Sequence, residues 1–245
     1  MPEPGGPARA HEVHTVTQPA HGSRPAQSMP EALARTLRHE VGDLLQTIYA
    51  TVAILQERLP RESTLERRVL TDLRSRAEVC RNLLDNVHDL VCPVTLATEE
   101  VDLSALVAML VTAAGPRHPD LEVRADTVAA VRIEADPRRV GQVGSLLLAN
   151  ACAEARHRVV FRSAPGPVAG EAEWAVTDDG PGVPPEQADQ LFSPLSVARH
   201  GHLGIGLPLA RKLVELHGGR ITAGNLPEGG FRVTVLWPAR PPAHG

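Results

Sequence analysis

Aromatic side chains are scarce in this chain, with three Phe, two Trp and one Tyr among 245 residues. That leaves the core to Leu, Val, Ile and Ala and excludes an aromatic stacking platform for single-stranded nucleic acid. A basic excess is also missing, the formal net charge being −4, which argues against a general nucleic-acid binder. Cys80, Cys92 and Cys152 stand far apart without paired spacing. They read as small buried apolar residues of a reducing compartment, not as a disulfide or zinc framework. No apolar run approaches the roughly 20 residues needed to cross a bilayer. Residues 1–10 carry Pro and Gly where a secretory leader needs an apolar block. The expectation is a cytoplasmic protein without membrane or nucleic-acid partners.

What is present falls into distinct blocks. Residues 1–30 are rich in Pro, Gly, Ala, Ser and His. Such a segment buries too little apolar surface to offset its ordering entropy, so a disordered tail is expected there, and another over 239–245. His11, His14 and His21 lack a regular ligand spacing and read as solvated tail residues. From Glu31 onward, Leu37, Val41, Leu44, Ile48, Val52, Leu55 and Leu59 recur three or four apart, the stripe of an amphipathic helix. Pro60 ends it, because proline cannot continue a helix interior. Ser63 and Glu66 form a capping-box signature for a second helix. Its stripe runs through Val69, Leu73, Ala77, Cys80, Leu84, Val87 and Val91. The short connection predicts an antiparallel hairpin over 31–92, and stripes this wide favour pairing with a second copy into a four-helix bundle.

Residues 93–100 read as a linker, and 101–238 as a separate unit. There, helices are expected over 103–114, 138–155 and 207–216. Strands are expected over 121–124, 131–133, 159–162, 173–176, 220–222 and 231–236. The fold class is α+β: a helical hairpin followed by a two-layer α/β sandwich.

The second unit carries the chemistry. Asp178-Asp179-Gly180-Pro181-Gly182 places carboxylates at the end of an apolar strand, then turns on glycines that let backbone approach a ligand. Asp178 there is suited to accept a hydrogen bond from the exocyclic amine of adenine, or simply to cap the turn. Gly204-Ile205-Gly206-Leu207 opens a helix whose first N–H groups are free to meet phosphate oxygens. Asn150 breaks into the edge of an apolar helical stripe; its amide oxygen suits Mg²⁺ shared with phosphates, or a satisfied core position. The segment 193–203, with Arg199, His200 and His202, reads as a lid over the phosphates. In the first unit His39 falls outside the apolar seam, on the exposed face of its helix. Glu40 beside it is placed to accept a ring proton and leave the other nitrogen nucleophilic.

In order and spacing these segments resemble the transmitter half of a sensor histidine kinase. His39-Glu40-Val41-Gly42-Asp43-Leu44-Leu45 is similar to the family's phosphoacceptor box, and the run from Asp136 to Asn150-Ala151 to its asparagine box. Asp178 to Pro184 resembles the aspartate–glycine box, and Leu191-Phe192-Ser193-Pro194-Leu195 the phenylalanine box. Gly204 to Leu207, continuing through Lys212 to His217-Gly218-Gly219, resembles the second glycine box. An ordered set of boxes over roughly residues 31–238 is far more specific than any single glycine motif. The resemblance implies a homodimeric bundle bearing His39 as phosphoacceptor, and a Bergerat-type sandwich binding ATP and Mg²⁺. It assigns Asn150 to the metal, Asp178, Gly180 and Gly182 to the base side, and Gly204 and Gly206 to the phosphates. Arg199 sits near where short-lid members place a lysine. The phosphoryl group then passes from His39 to an aspartate on a response regulator receiver domain. A sensor domain is not recognisable, which implies input from a separate sensory protein or the amino-terminal tail. Several positions depart from the pattern: Leu146 replaces an asparagine, Ala153 a basic residue, His202-Leu203 a Gly-Thr and Leu195 an aromatic lid anchor. Asp43 stands where an amide or hydroxyl orients water. These departures leave open an alternative, a non-catalytic histidine phosphotransfer or scaffold protein with a degenerate ATPase-like domain.

Overall fold

The computed structural model describes residues 28–60, 63–188, 190–195 and 204–238. Two long helices come first, α1 (Met29–Arg58) and α2 (Thr64–Val91). Met29 and Pro30, expected in the tail, are therefore helical. The rest of that tail and residues 239–245 lie outside the described residues. Arg38 meets Asp85 at 4.0 Å, and Cys92 Sγ donates to Glu31 O at 3.8 Å, so the helices run antiparallel. α1 ends just before Pro60, as the ring requires. The expected capping box at Ser63 does not form, since its side chain makes no cap hydrogen bond. Arg67 closes the turn instead, donating from Nη2 to Leu59 O at 2.8 Å, one of the carbonyls orphaned at the end of α1. Val52 and Ala77 of the expected stripes are buried, whereas Leu37, Leu44, Leu55, Val69 and Leu73 remain 43–60% exposed. Among the described residues no helix is long and apolar enough to cross a membrane.

The second unit opens with β1 (Glu99–Asp102), paired antiparallel with β3 (Arg132–Ala135). Glu99 and Glu100, expected in the linker, therefore belong to a strand; with Val101 its only buried residue, no alternation betrays it. The main sheet is built from β2 (Glu122–Thr127), β4 (Arg158–Pro165), β5 (Glu171–Asp178), β7 (Phe231–Pro238) and β6 (Arg220–Asn225), in that spatial order. β2 and β4 pair in parallel and the remaining neighbours antiparallel. Helices α3 (Leu103–Ala114), α4 (Pro137–Glu154) and α6 (Gly206–Leu216) pack on it, with a short α5 (Pro185–Ala188) between the last two. Asp102 and Asp136 cap α3 and α4, each carboxylate accepting a first-turn N–H.

The core is not aliphatic alone. Phe161, Trp174 and Trp237 are fully buried and meet edge to face, with ring centroids 5.0 and 5.7 Å apart. The rare aromatics are concentrated on the three central strands, where one ring fills the space of several smaller side chains. α4 lies close over Trp174 because Gly144 faces the ring; a Cβ there would stand 3.2 Å from it.

A polar cluster seats the hairpin on the sandwich. Asp89, 7% exposed near the end of α2, pairs with Arg139 on α4, and the Gln142 amide donates to Asp89 at 3.1 Å and Asn86 at 3.2 Å. From α6, Lys212 Nζ donates to the carbonyls of Asp89, Leu90 and Cys92 at 2.7–3.0 Å, satisfying the free carbonyl end of α2.

Candidate nucleotide site and exposed histidine

A cleft of about 380 Å³ opens between α4, the Asp178–Val183 turn and the start of α6. Helix periodicity lines up Leu146, Asn150, Ala153 and Glu154 along one side of α4, and all face this cleft. Asp178 ends β5 with only 5% exposure, and its Oδ1 accepts the Gly180 N–H at 2.9 Å. Burial pushes its carboxyl up to about 6, the Gly180 N–H opposes this, and the carboxylates of Glu154 and Asp179 add to it. Gly182, at φ +73°, and Gly204, at φ +65°, occupy the left-handed region that side chains avoid. Gly204 leads through Ile205 into α6, whose first turn has no side-chain cap, leaving the Gly206 and Leu207 N–H groups to a ligand. The next residue, Pro208, has no N–H to offer.

Of the residues singled out from sequence, Asn150, Asp178, Gly182, Gly204 and Gly206 thus come together around one cleft. Gly180 lies behind Asp178, tight against the Glu154 carbonyl. Leu146 and Ala153, the apolar departures, also face the cleft. Arg199, His200 and His202 lie outside the described residues. His39 and Glu40 do not line the cleft; both are about three-quarters exposed on α1. The ring contact differs from the expected one. His39 Nδ1 stands 4.0 Å from Glu40 but 3.3 Å from Asp43, one helical turn on. Adjacent helical residues point in different directions, whereas residues four apart share a face.

Other participants were not evident from sequence. Val79, Asn82, Leu83 and Asn86 of α2 form a further wall of the cleft. The only hint was that they fall off the hairpin's own stripe. Asp179 turns away from the cleft and accepts the N–H groups of Arg156, His157 and Arg158 at 2.9–3.1 Å through one oxygen. Burial opposes its ionisation, but these donors outweigh that and hold it down at about 2. Asn225 clasps Val183 from β6, 42 residues away, and no local signal marks it.

Residues 135–241 match the family model described as histidine kinase-, DNA gyrase B- and HSP90-like ATPase. The sensor histidine kinase ZraS of Escherichia coli O157:H7 is 30% identical over 211 residues, covering 84% of this chain and 45% of that protein. The sensory histidine kinase/phosphatase NtrB of the same organism is 30% identical over 224 residues, covering 85% of this chain and 62% of that protein. The chain thus spans roughly half the length of these relatives. In fold it is similar to full-length ShkA in complex with AMPPNP, with a TM-score of 0.70 at 21% identity, covering 89% of this chain and 47% of that one. The Acinetobacter baumannii histidine kinase AdeS gives a TM-score of 0.58 at 22% identity, covering 81% and 95%.

Proposed function

Because the chain carries the transmitter region of a sensor histidine kinase, a helical hairpin followed by an ATPase domain of that family, we propose that it is a histidine protein kinase of a two-component phosphorelay. The observation that carries this reading is the convergence of Asn150, Asp178, Gly182, Gly204 and Gly206 on one cleft while His39 stays exposed on a rigid helix.

ATP is the phosphoryl donor. The Asp178 carboxylate accepts the exocyclic amine of adenine, and the base lies against the Gly180–Gly182 turn. The phosphates meet the uncapped start of α6, where Gly204 and Gly206 leave room for close approach. Arg199, which lies outside the described residues, is the candidate to supply positive charge to the phosphates. The donor set suits Mg²⁺: a neutral amide oxygen at Asn150 together with phosphate oxygens, the sparse protein ligation this ion favours. Among the described residues no cluster of His, Cys, Asp or Glu offers a competing all-protein cage. When bound, the ion neutralises charge on the transferring group. Leu146 and Ala153 put apolar surface where polar contacts are usual, so weakened nucleotide affinity is expected.

At the acceptor, Asp43 faces Nδ1, which leaves Nε2 to attack. The γ-phosphorus bond to the β–γ bridging oxygen breaks, and its electron pair leaves with ADP. A phosphorus–nitrogen bond forms at Nε2, and the Nδ1 proton passes to Asp43 or Glu40. The phosphoryl group then moves to an aspartate on a receiver domain. Two copies pair through the exposed leucines of the hairpin, and the protein works in the cytoplasm. Incubation with γ-labelled ATP and Mg²⁺ should give an acid-labile, base-stable label, absent in His39→Ala and strongly reduced in Asn150→Ala. Label retained by His39→Ala removes the proposal. Failure of the unmodified protein to bind Mg-ATP favours the scaffold alternative, which Leu146 and Ala153 motivate.

A further inference from the structure

The Asp178–Val183 turn leaves the sheet at Asp178, and no strand continues through Pro181–Val183. Something else has to hold it. On the near side Asp179 draws together three successive N–H groups, of Arg156, His157 and Arg158, that lead into β4. On the far side stands Asn225, the last residue of β6, paired in register with Phe231 at the start of β7. Its Oδ1 accepts the Val183 N–H at 2.8 Å, and its Nδ2 donates to the Val183 carbonyl at 2.7 Å. Both main-chain groups of one residue are satisfied by one side chain, a pairing open to a carboxamide but not to a carboxylate, which lacks the donor. The same Oδ1 packs against the bare Cα of Gly182, where a Cβ would overlap it. Gly182, Val183 and Phe231 line the cleft; Asn225 is not among the lining residues.

We propose that Asn225 is a positioning residue for base recognition: its carboxamide clamps Val183 and so fixes Gly182 and the turn leading from Asp178 at the distance the base requires. The inference rests on the reading of Asp178 as the partner of the adenine amine. The clamp adds two hydrogen bonds on the side of the turn away from Asp179. Gly182 combines left-handed backbone with no side chain, so losing the carboxamide packed against it loosens the turn at that point. The contribution to the base is therefore indirect, passing through Val183 and Gly182 to the geometry around Asp178.

The test measures affinity of the full chain for Mg-ATP and for the purine riboside triphosphate that lacks the 6-amino group. A hydrogen bond from that amine to a carboxylate should make the unmodified protein prefer ATP by about tenfold or more. In Asn225→Ala the preference is expected to shrink to within about twofold, with ATP affinity falling and affinity for the analogue changing little. Asn225→Asp keeps the shape but loses the donor, and should behave as Asn225→Ala. It also stands in should the alanine variant fail to fold. A merely structural role lowers the folded fraction and leaves the preference between the two nucleotides unchanged, so full preference in a folded variant overturns the proposal. If the unmodified protein shows no preference, the base-reading role of Asp178 fails first, and this inference falls with it.

Discussion

Asp178 concentrates the conflict between folding and binding in one side chain. It is nearly inaccessible at the end of an apolar strand, with Glu154 and Asp179 nearby, and its carboxyl is raised to about 6. The folded form therefore holds the proton more firmly than the unfolded chain, whose aspartates titrate near 3.8. Stability contributed by this group is greatest below about pH 4 and declines as pH rises to about 6, by up to about 3 kcal/mol, then stays level. Asp179, held down at about 2, acts with the opposite sign and only at pH below about 4. Buried His217, whose ring is lowered by desolvation, gains stability as pH rises toward its ordinary value. The difference between the protein and Asp178→Asn in urea unfolding between pH 4 and 7 isolates the Asp178 contribution. We expect the Asp178→Asn substitution to abolish the decline while weakening ATP binding. An identical pH profile in both proteins would show that Asp178 is not desolvated.

At the scale of elements, α4 joins the two units. Its first turns present Arg139 and Gln142 to α2, and its last turns present Asn150 to the cleft. α6 repeats the arrangement: its start faces the cleft, and Lys212 in its second half holds the end of α2. α2 is thus tied by side-chain contacts to both helices that line the cleft. The Asp89 carboxyl is disfavoured by burial but held below its ordinary range by Arg139, Gln142 and His88. Asp89→Ala strands the Arg139 guanidinium in a site where it is only 12% exposed. We expect a loss of about 3–5 kcal/mol in chemical unfolding. Amide exchange should also quicken along residues 79–91, because the wall that α2 lends to the cleft is loosened. Unchanged exchange there would mean that apolar contact alone seats the hairpin.

For the molecule as a whole, a single hairpin leaves large apolar side chains in water along α1 and α2, Leu44 at 60% and Val69 at 58% exposure among them. A patch of that kind is covered in stable proteins, and a second hairpin covers it at least cost. Light scattering should report a dimer, and Leu44→Glu should give a monomer that still binds nucleotide; a monomeric unmodified protein would refute the bundle. The hairpin was legible because a stripe such as Leu37-Val41-Leu44-Ile48 repeats with the helix period, and Pro60 interrupts it. The cleft was legible because Asp178 to Gly182 and Gly204 to Leu207 are local turn chemistry, where glycine and carboxylate announce their backbone requirements within a few residues. Neither β1 nor the role of Arg67 at the hairpin turn could be read in that way, the first being too short for a pattern and the second replacing a cap that the residues did promise. Periodicity and turn chemistry by themselves determined the long helices and the glycine turns that border the cleft. Only the tertiary structure decided that Asn225 holds Val183, that Asp89 receives Arg139 and Lys212 the end of α2, and that Phe161, Trp174 and Trp237 share one core. Those partners are 42, 50 and more than 100 positions apart, and contacts at such separation depend on how the layers pack, which no local period encodes.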